Sequence, residues 1–331
     1  MKIAVVGNGA WGTSLAVHLA RRGGHDVTLW AHDAEDVGAM RSQRSNHRYL
    51  PGVPFPAGLS ATGDAREAAG GAGLVLFVIP SEFFRASVRS FRGIVEAGTP
   101  VISATKGIEH GTLSRMTEVL ADELPGRPAI ALSGPTFAAE VARGEPTVAV
   151  VASKDAAAAR LAQSEISDGH FRLYTSDDPV GVELGGALKN VIAIASGIVS
   201  GMGYGYNTTA ALITRGLAEL SRLGVAVGGH PETFAGLAGM GDLVLTCTGA
   251  LSRNRSVGQK LGEGAPLAEI LASMGHVAEG VRTTAAALEL AKRAGVEVPI
   301  AAQVGRILRG EIKPDDAMRE LMNRELKKET A

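Results

Sequence analysis

Apolar positions in the first half of the chain come in short unbroken runs: "KIAVVG" (2–7), "VTLWA" (27–31), "LVLFVIP" (74–80), "PVISAT" (100–105), "AIALSGP" (129–135) and "TVAVVAS" (147–153). A strand that is apolar on both sides has to be covered on both sides, which is the condition of a parallel sheet between layers of helix. The stretches between these runs have helical patterns, so the alternation predicts an α/β domain. After "FRLYTS" (171–176) the texture changes. "DDP" (177–179) offers an aspartate N-cap followed by proline at the first helical position, and strand signals largely stop beyond it. "TAALITRGLAELSRLG" (209–224) and "TTAAALELAKRAG" (283–295) repeat apolar residues at helical spacing and end on glycine. The tail "RELMNRELKKETA" (319–331) predicts a charged, fraying helix. The expectation is an α/β domain with a mostly parallel sheet over residues 1–179 and an all-helical domain over 180–331.

Length and composition sharpen this. A chain of 331 residues suits two cores. Its 33 Lys and Arg nearly cancel its 34 Asp and Glu, which argues against a broad electrostatic grip on nucleic acid or an anionic membrane and leaves anions to be bound locally. The one cysteine, Cys247, excludes an internal disulfide and any cysteine-based metal cluster, and it reads as packing rather than as a nucleophile. Met1 and Lys2 lead straight into a strand with no cleavage-site pattern, and no apolar run reaches the roughly 18 residues of a membrane span. The expectation is a soluble cytoplasmic protein without membrane insertion.

The chemistry begins directly after the first strand. In "GNGAWG", Gly7, Gly9 and Gly12 fill every glycine of G-x-G-x-x-G, and strand, turn, helix and second strand follow in βαβ order. Gly7 permits the turn, Gly9 lets backbone approach a pyrophosphate, and Gly12 allows close helix–strand packing while the helix N-terminus faces the phosphates. This points to NAD or NADP. Near the end of the second strand stand His32 and Asp33, with no arginine beside them. Asp33 leans toward NAD, His32 could face the extra phosphate of NADP, and Asp33 reads equally well as an N-cap.

A lysine set into an apolar helix, "GGALKNVIAIASG" (185–197), raises a second question. Lys189 is the only charged side chain between Glu183 and Arg215, and it shares its helical face with Val182, Gly185, Gly186, Ala193, Ser196 and Ser200. Such a groove accepts another helix or leaves room for a ligand. Lys189 is therefore either a snorkelling lysine or an ammonium kept for proton transfer to a carbonyl oxygen. "SATKGIEHG" puts Lys106 just past a strand end, and "LSGPTFAAE" puts Ser133, Gly134 and Thr136 before a helix start. "GMGDLVLTC" isolates Asp242, and "LSRNRSVG" sets Arg253 and Asn254 behind Ser252 as N-cap. Arginine is unfavourable at a helix start unless an anion sits between them. Taken singly, Lys106 also reads as a loop charge, Asp242 as an N-cap and Arg253 as a surface charge.

Together "GNGAWGTSLA", "SATKGIE", "LSGPTFAAE", "GGALKNVIAIASG", "NTTAALITRGLAE", "GDLVLTC", "SRNRSVG" and "VAEGVRTT" resemble the bacterial NAD(P)-dependent sn-glycerol-3-phosphate dehydrogenases, in order from residue 1 to about 300. The resemblance implies an N-terminal Rossmann domain, a helical substrate-binding domain, and interconversion of dihydroxyacetone phosphate and sn-glycerol 3-phosphate for glycerophospholipid synthesis. It makes Lys189 the catalytic acid/base, with Lys106, Gly134, Thr136, Asp242, Ser252, Arg253 and Asn254 around a small phosphorylated substrate; the mechanism expected of these residues has Asp242 orient Lys189 and keep it charged. It places Ala10, Trp11, Lys106, Ala138, Arg253, Val277 and Glu279 at the nucleotide, together with the glycine turn. Ala10 stands where many relatives have serine, and Asp33 replaces an arginine that some show. No metal is called for, and a homodimer is the assembly expected. Two other readings compete: a related hydroxyacid or 6-phosphogluconate-type dehydrogenase, and a regulator that senses NAD(H) without chemistry.

Overall fold

The computed structural model of the chain describes residues 1–274, 278–326 and 328–329. Eight strands, β1 (Lys2–Val6), β2 (Asp26–Trp30), β3 (Leu59–Thr62), β4 (Leu74–Phe77), β5 (Val101–Ser103), β6 (Ala129–Ser133), β7 (Thr147–Ala152) and β8 (Phe171–Ser176), form one sheet in the order β3-β2-β1-β4-β5-β6-β7-β8. Every pairing is parallel except β6 with β7. The order reverses between β1 and β4, and beyond the carboxyl ends of strands at such a switch point lies the ligand crevice of open α/β sheets.

The unbroken apolar runs are explained by the two cores they serve. Ile3 and Val5 of β1 enter one cluster with Leu15, Leu19, Leu29 and Leu76, while Ala4 and Val6 enter another with Phe77, Phe84 and Phe91. β3 carried no signal in the sequence because it is a four-residue edge strand with Ser60 exposed. Beyond β8 every regular element among the described residues is helical. Among the described residues the tail pattern is helical within Pro314–Met322, where Pro314 takes the first position.

The chain divides into two compact units, Met1–Gly186 with Gly228–Asp242, and Ala187–Val227 with Leu243–Ala331. This differs from a single break at 179/180, and the reason is a set of contacts that no local pattern reveals. Buried Asp178 accepts hydrogen bonds from Gly181 N at 2.9 Å, His230 N at 2.8 Å and Thr233 Oγ1 at 2.7 Å, tying the start of the long helix Pro179–Gly201 to the returning segment 228–242. Val182 and Ala238 pack with Ala131 of β6 and Ala152 of β7. Buried Glu183 accepts from Arg115 Nη1, Thr117 N and Thr117 Oγ1 within 2.7 Å. Pro179–Gly201 is long and apolar enough to cross a membrane by length and composition, yet its most apolar 18-residue window is entirely buried in protein.

Candidate active site

The first unit holds the glycine turn between β1 and the helix Ala10–Arg22. Gly7 has φ +117°, and a Cβ there would come within 2.3 Å of the Val78 carbonyl oxygen. A Cβ on Gly12 would meet the Gly7 carbonyl oxygen at 1.9 Å. At Gly9 the surroundings differ, with nothing within 4 Å of the added atom. The turn is thus tight against protein at its two ends and open in the middle, as backbone approach to a pyrophosphate requires. Gly9 is also the N-cap, so no side chain caps the helix and no acidic residue sits in its first turn. The first N–H groups, from Ala10 onward, are left for an anion. Trp11 packs against the core with its Nε1 buried and unpartnered, and Ser14 Oγ donates to the Ala138 carbonyl at 2.8 Å, bringing Ala138 beside this helix.

At the end of β2, His32 is exposed, its ring centroid 6.2 Å from that of Trp30. Asp33 caps the helix Ala34–Gln43, accepting from Glu35 N at 2.8 Å, and remains half-exposed. An arginine is present here after all: Arg48 lies 3.0 Å from Asp36 and 3.8 Å from Asp33.

Lys106, just past β5, donates from Nζ to Asp242 Oδ2 at 2.7 Å, to the Gly134 carbonyl at 2.9 Å and to Thr136 Oγ1 at 3.4 Å. Gly134 has φ +148°, and a Cβ would lie 2.9 Å from Ala149 Cα, so only glycine turns its carbonyl toward the ammonium. Asp242 follows a π-type turn, Leu237–Gly241, and is fully buried. Its partner within the first unit is Lys106. The helix after Thr136, Ala138–Arg143, has only six residues.

In the second unit Lys189 is 5% exposed and donates to Thr246 Oγ1 at 2.6 Å. The neighbouring Asn190 accepts through Oδ1 from Asn254 Nδ2 at 2.9 Å, and Asn254 Oδ1 accepts from Gly280 N at 2.9 Å, beside Glu279 at the start of Glu279–Ala294. Ser252 caps the helix Arg253–Gly262, accepting from Arg255 N at 3.2 Å. Arg253 is exposed and makes no ion pair among the described residues, leaving its guanidinium available at a helix N-terminus. Val277 lies outside the described residues.

The Lys189 helix and Arg253–Gly262 touch backbone to backbone. A Cβ on Gly197 would lie 2.0 Å from Arg255 O, one on Gly201 2.1 Å from Gln259 O, one on Gly258 2.0 Å from Ile194 O and one on Gly262 2.3 Å from Ile198 O. Gly197 and Gly201 lie about 80° and 120° round the helix from Lys189, so this contact flanks the small-residue face and does not fill it. A Cβ on Gly185 would meet Ala238 O at 2.5 Å and one on Gly186 would meet Ser133 Oγ at 2.4 Å, so the expectation that these glycines leave room for a ligand is corrected. Ser196 donates to Cys247 O, and Ser200 accepts from Arg255.

The family model for the NAD-dependent glycerol-3-phosphate dehydrogenase N-terminus matches residues 2–159, and that for the C-terminus matches residues 178–319. The chain belongs to the NAD-dependent glycerol-3-phosphate dehydrogenase family. It is 53% identical to the glycerol-3-phosphate dehydrogenase [NAD(P)+] of Acidobacterium capsulatum over 98% of each chain. It is also 53% identical to that of Koribacter versatilis, covering 98% of this chain and 97% of the relative. The crystal structure of the Coxiella burnetii glycerol-3-phosphate dehydrogenase superposes with a TM-score of 0.94 at 41% identity, covering 98% of this chain and 99% of that one. Against this family frame, Lys106, Gly134, Thr136 and Asp242 form one hydrogen-bonded cluster, and Asn254 joins Asn190 beside Lys189. Sequence reasoning missed Thr246, Asn190 and Arg48. Thr246 stands four residues after Asp242 in Asp242–Thr248, the spacing that puts two side chains on one helical face.

Proposed function

We propose that the chain interconverts dihydroxyacetone phosphate and sn-glycerol 3-phosphate with NAD(P)H, supplying glycerol 3-phosphate for glycerophospholipid synthesis. The observation that carries the reading is the buried Lys189 ammonium, held by Thr246 Oγ1, in a chain whose family membership spans both halves. The ammonium is taken out of water, and its hydrogen bond to Thr246 offsets part of that cost. The reduced coenzyme, when bound, supplies the hydride that reaches the keto carbon. Lys189 stabilises the charge developing on the keto oxygen and gives it a proton, which completes the secondary alcohol; the neutral amine is reprotonated before the next turnover. Positioned acid catalysis of this kind contributes about 10²–10⁴-fold.

Thr246 keeps the Lys189 side chain in one orientation. Lys106, with Gly134, Thr136 and Asp242, binds the polar backbone of the substrate, and Arg253 with Ser252 and Asn254 receives its phosphate. Remote binding of the phosphate orients the carbonyl for reaction. The turn of Gly7, Gly9, Ala10, Trp11 and Gly12 holds the pyrophosphate, His32 and Asp33 meet the adenosine ribose, and Lys106, Ala138, Arg253, Val277 and Glu279 complete the nucleotide site. The proposal includes a cytoplasmic homodimer, tested by sedimentation velocity.

Initial rates of dihydroxyacetone phosphate reduction with NADH and NADPH in parallel test the reading, with hydroxyacids and 6-phosphogluconate as controls. Lys189→Ala is expected to lower turnover by about 10³-fold while nucleotide binding persists. A variant that kept more than about a tenth of the wild-type rate would remove Lys189 from the acid/base role.

A further inference from the structure

The loop between Ala34–Gln43 and β3 carries an arginine that the reaction does not use. Arg48 Nη1 donates to Asp36 Oδ1 at 3.0 Å and lies 3.8 Å from Asp33 Oδ2, with its guanidinium 5.2 Å from the centre of the Tyr49 ring. This is not a loosely hung surface side chain. Two residues earlier, Asn46 is 3% exposed and donates from Nδ2 to the Asn8 carbonyl at 2.7 Å and to Thr13 Oγ1 at 2.8 Å. Its Oδ1 accepts from Tyr49 N at 3.2 Å. The backbone on both sides of Arg48 is thereby fastened to the glycine turn. Asp36 is the hub: its second oxygen accepts from Asn8 Nδ2 at 2.9 Å, so one carboxylate joins that turn to the arginine.

A basic residue beyond β2 receives the 2′-phosphate of NADP, and a carboxylate there favours the free ribose hydroxyls of NAD. Here both are present, and they are engaged with each other. Asp33 and Asp36 at the start of one helix set two carboxylates against one guanidinium, a local excess of negative charge that repels a phosphate dianion. We propose that Asp36 selects NAD(H) over NADP(H) by holding Arg48 in this ion pair, so that Arg48 is a masked phosphate receptor which loss of the Asp36 charge would release. The inference rests on the coenzyme reading of the glycine turn above.

The test uses quenching of tryptophan fluorescence by NADH and by NADPH, without substrate, on the full-length wild type, Asp36→Asn, Arg48→Gln and the double variant. Asparagine keeps an acceptor for Asn8 while removing the charge. Wild type is expected to bind NADH at least about tenfold more tightly than NADPH, and Asp36→Asn to tighten NADPH about tenfold while moving NADH less than about threefold. The double variant is expected to lose that gain. Asp33→Asn, at an exposed capping position where asparagine also caps, should move NADPH the same way by a smaller factor and serves if Asp36→Asn fails to fold. No gain in Asp36→Asn, a gain that survives in the double variant, or equal affinities in wild type would each overturn the proposal alone. Binding of neither nucleotide by wild type would overturn the coenzyme reading with it.

Discussion

Gly258→Ala adds one methyl group where two helices of the second unit share a backbone contact. The new Cβ would lie 2.0 Å from Ile194 O, 2.8 Å from Ile194 C and 2.9 Å from Ile198 N, all main-chain atoms that no rotamer change can move. Relaxed C···O contacts sit at about 3.3 Å or more, so the helices must part by about 1.3 Å. Overpacking of this kind costs about 1–3 kcal/mol, and with about 2–4 °C of melting temperature per kcal/mol the expected loss is roughly 2–12 °C. The more specific effect is positional. Asn254 Nδ2 and Asn190 Oδ1 are 2.9 Å apart, and a shift of that size takes them beyond hydrogen-bond reach. Asn190 directly follows Lys189, and misplacement by about 1 Å can cost about 10²-fold in rate. We therefore expect kcat/KM for dihydroxyacetone phosphate to fall about 10²-fold, with NADH affinity measured by fluorescence weakened far less because the glycine turn is untouched. Gly38→Ala, in a helix with nothing within 4 Å of the new atom, is the control and should be neutral or stabilising by up to about 1 kcal/mol. Wild-type melting and wild-type kcat/KM in Gly258→Ala would refute the backbone contact. Lowered melting with normal kcat/KM would refute its role in positioning the lysine helix.

Glu219 in Tyr206–Ala226 accepts from Ile300 N at 2.8 Å and Ala301 N at 2.9 Å, and burial pushes its carboxyl from 4.5 up to about 7. The folded chain then holds a proton that the unfolded chain has released, so this group's contribution to stability is present below pH 4.5 and is lost as pH rises to about 7, amounting to about 3 kcal/mol in all. The melting temperature of Glu219→Gln relative to wild type should accordingly climb between pH 5 and 7.5, and a constant difference would contradict this. Gly186→Ala should disturb Lys106 through the 2.4 Å encounter with Ser133 Oγ, raising KM for dihydroxyacetone phosphate, and Ser133→Gly should restore it; failure of that rescue would show that the hydroxyl is not the obstacle. Gly12→Ala, whose Cβ would lie 1.9 Å from Gly7 O, should abolish nucleotide binding in fluorescence titration, and retained affinity would sink the tight-turn account.

Local chemistry made the two-sided strands and the glycine turn legible in the sequence. Each of β1, β2 and β4 is buried at nearly every residue, whereas β3 is four residues long with Ser60 exposed and left no mark. Lys106, Gly134, Thr136 and Asp242 were each named in the sequence through the family resemblance, although the pairing of Lys106 with Asp242, 136 residues away, was not read there. Arg48 was not named, because it comes back to Asp33 and Asp36 through a loop held by Asn46, a contact made at a distance along the chain that no spacing rule reports. The small residues of the Lys189 helix fitted a neighbouring helix or a ligand equally well, and Gly185 and Gly186 are packed on protein. The answer, another helix and the segment after Phe234, is set by packing alone.

The return of Gly228–Asp242 to the first unit has a consequence for how the protein is made. On a ribosome, the sheet can emerge in full while Gly181, Val182 and Gly185 still await the stretch that packs on them. The first unit cannot close until residue 242 has left the exit tunnel, after the helix Tyr206–Ala226 has already been synthesised. Maturation of the two units is thereby interleaved in time, and a cut made in the gene at their apparent border would leave Asp178 without His230 and Thr233.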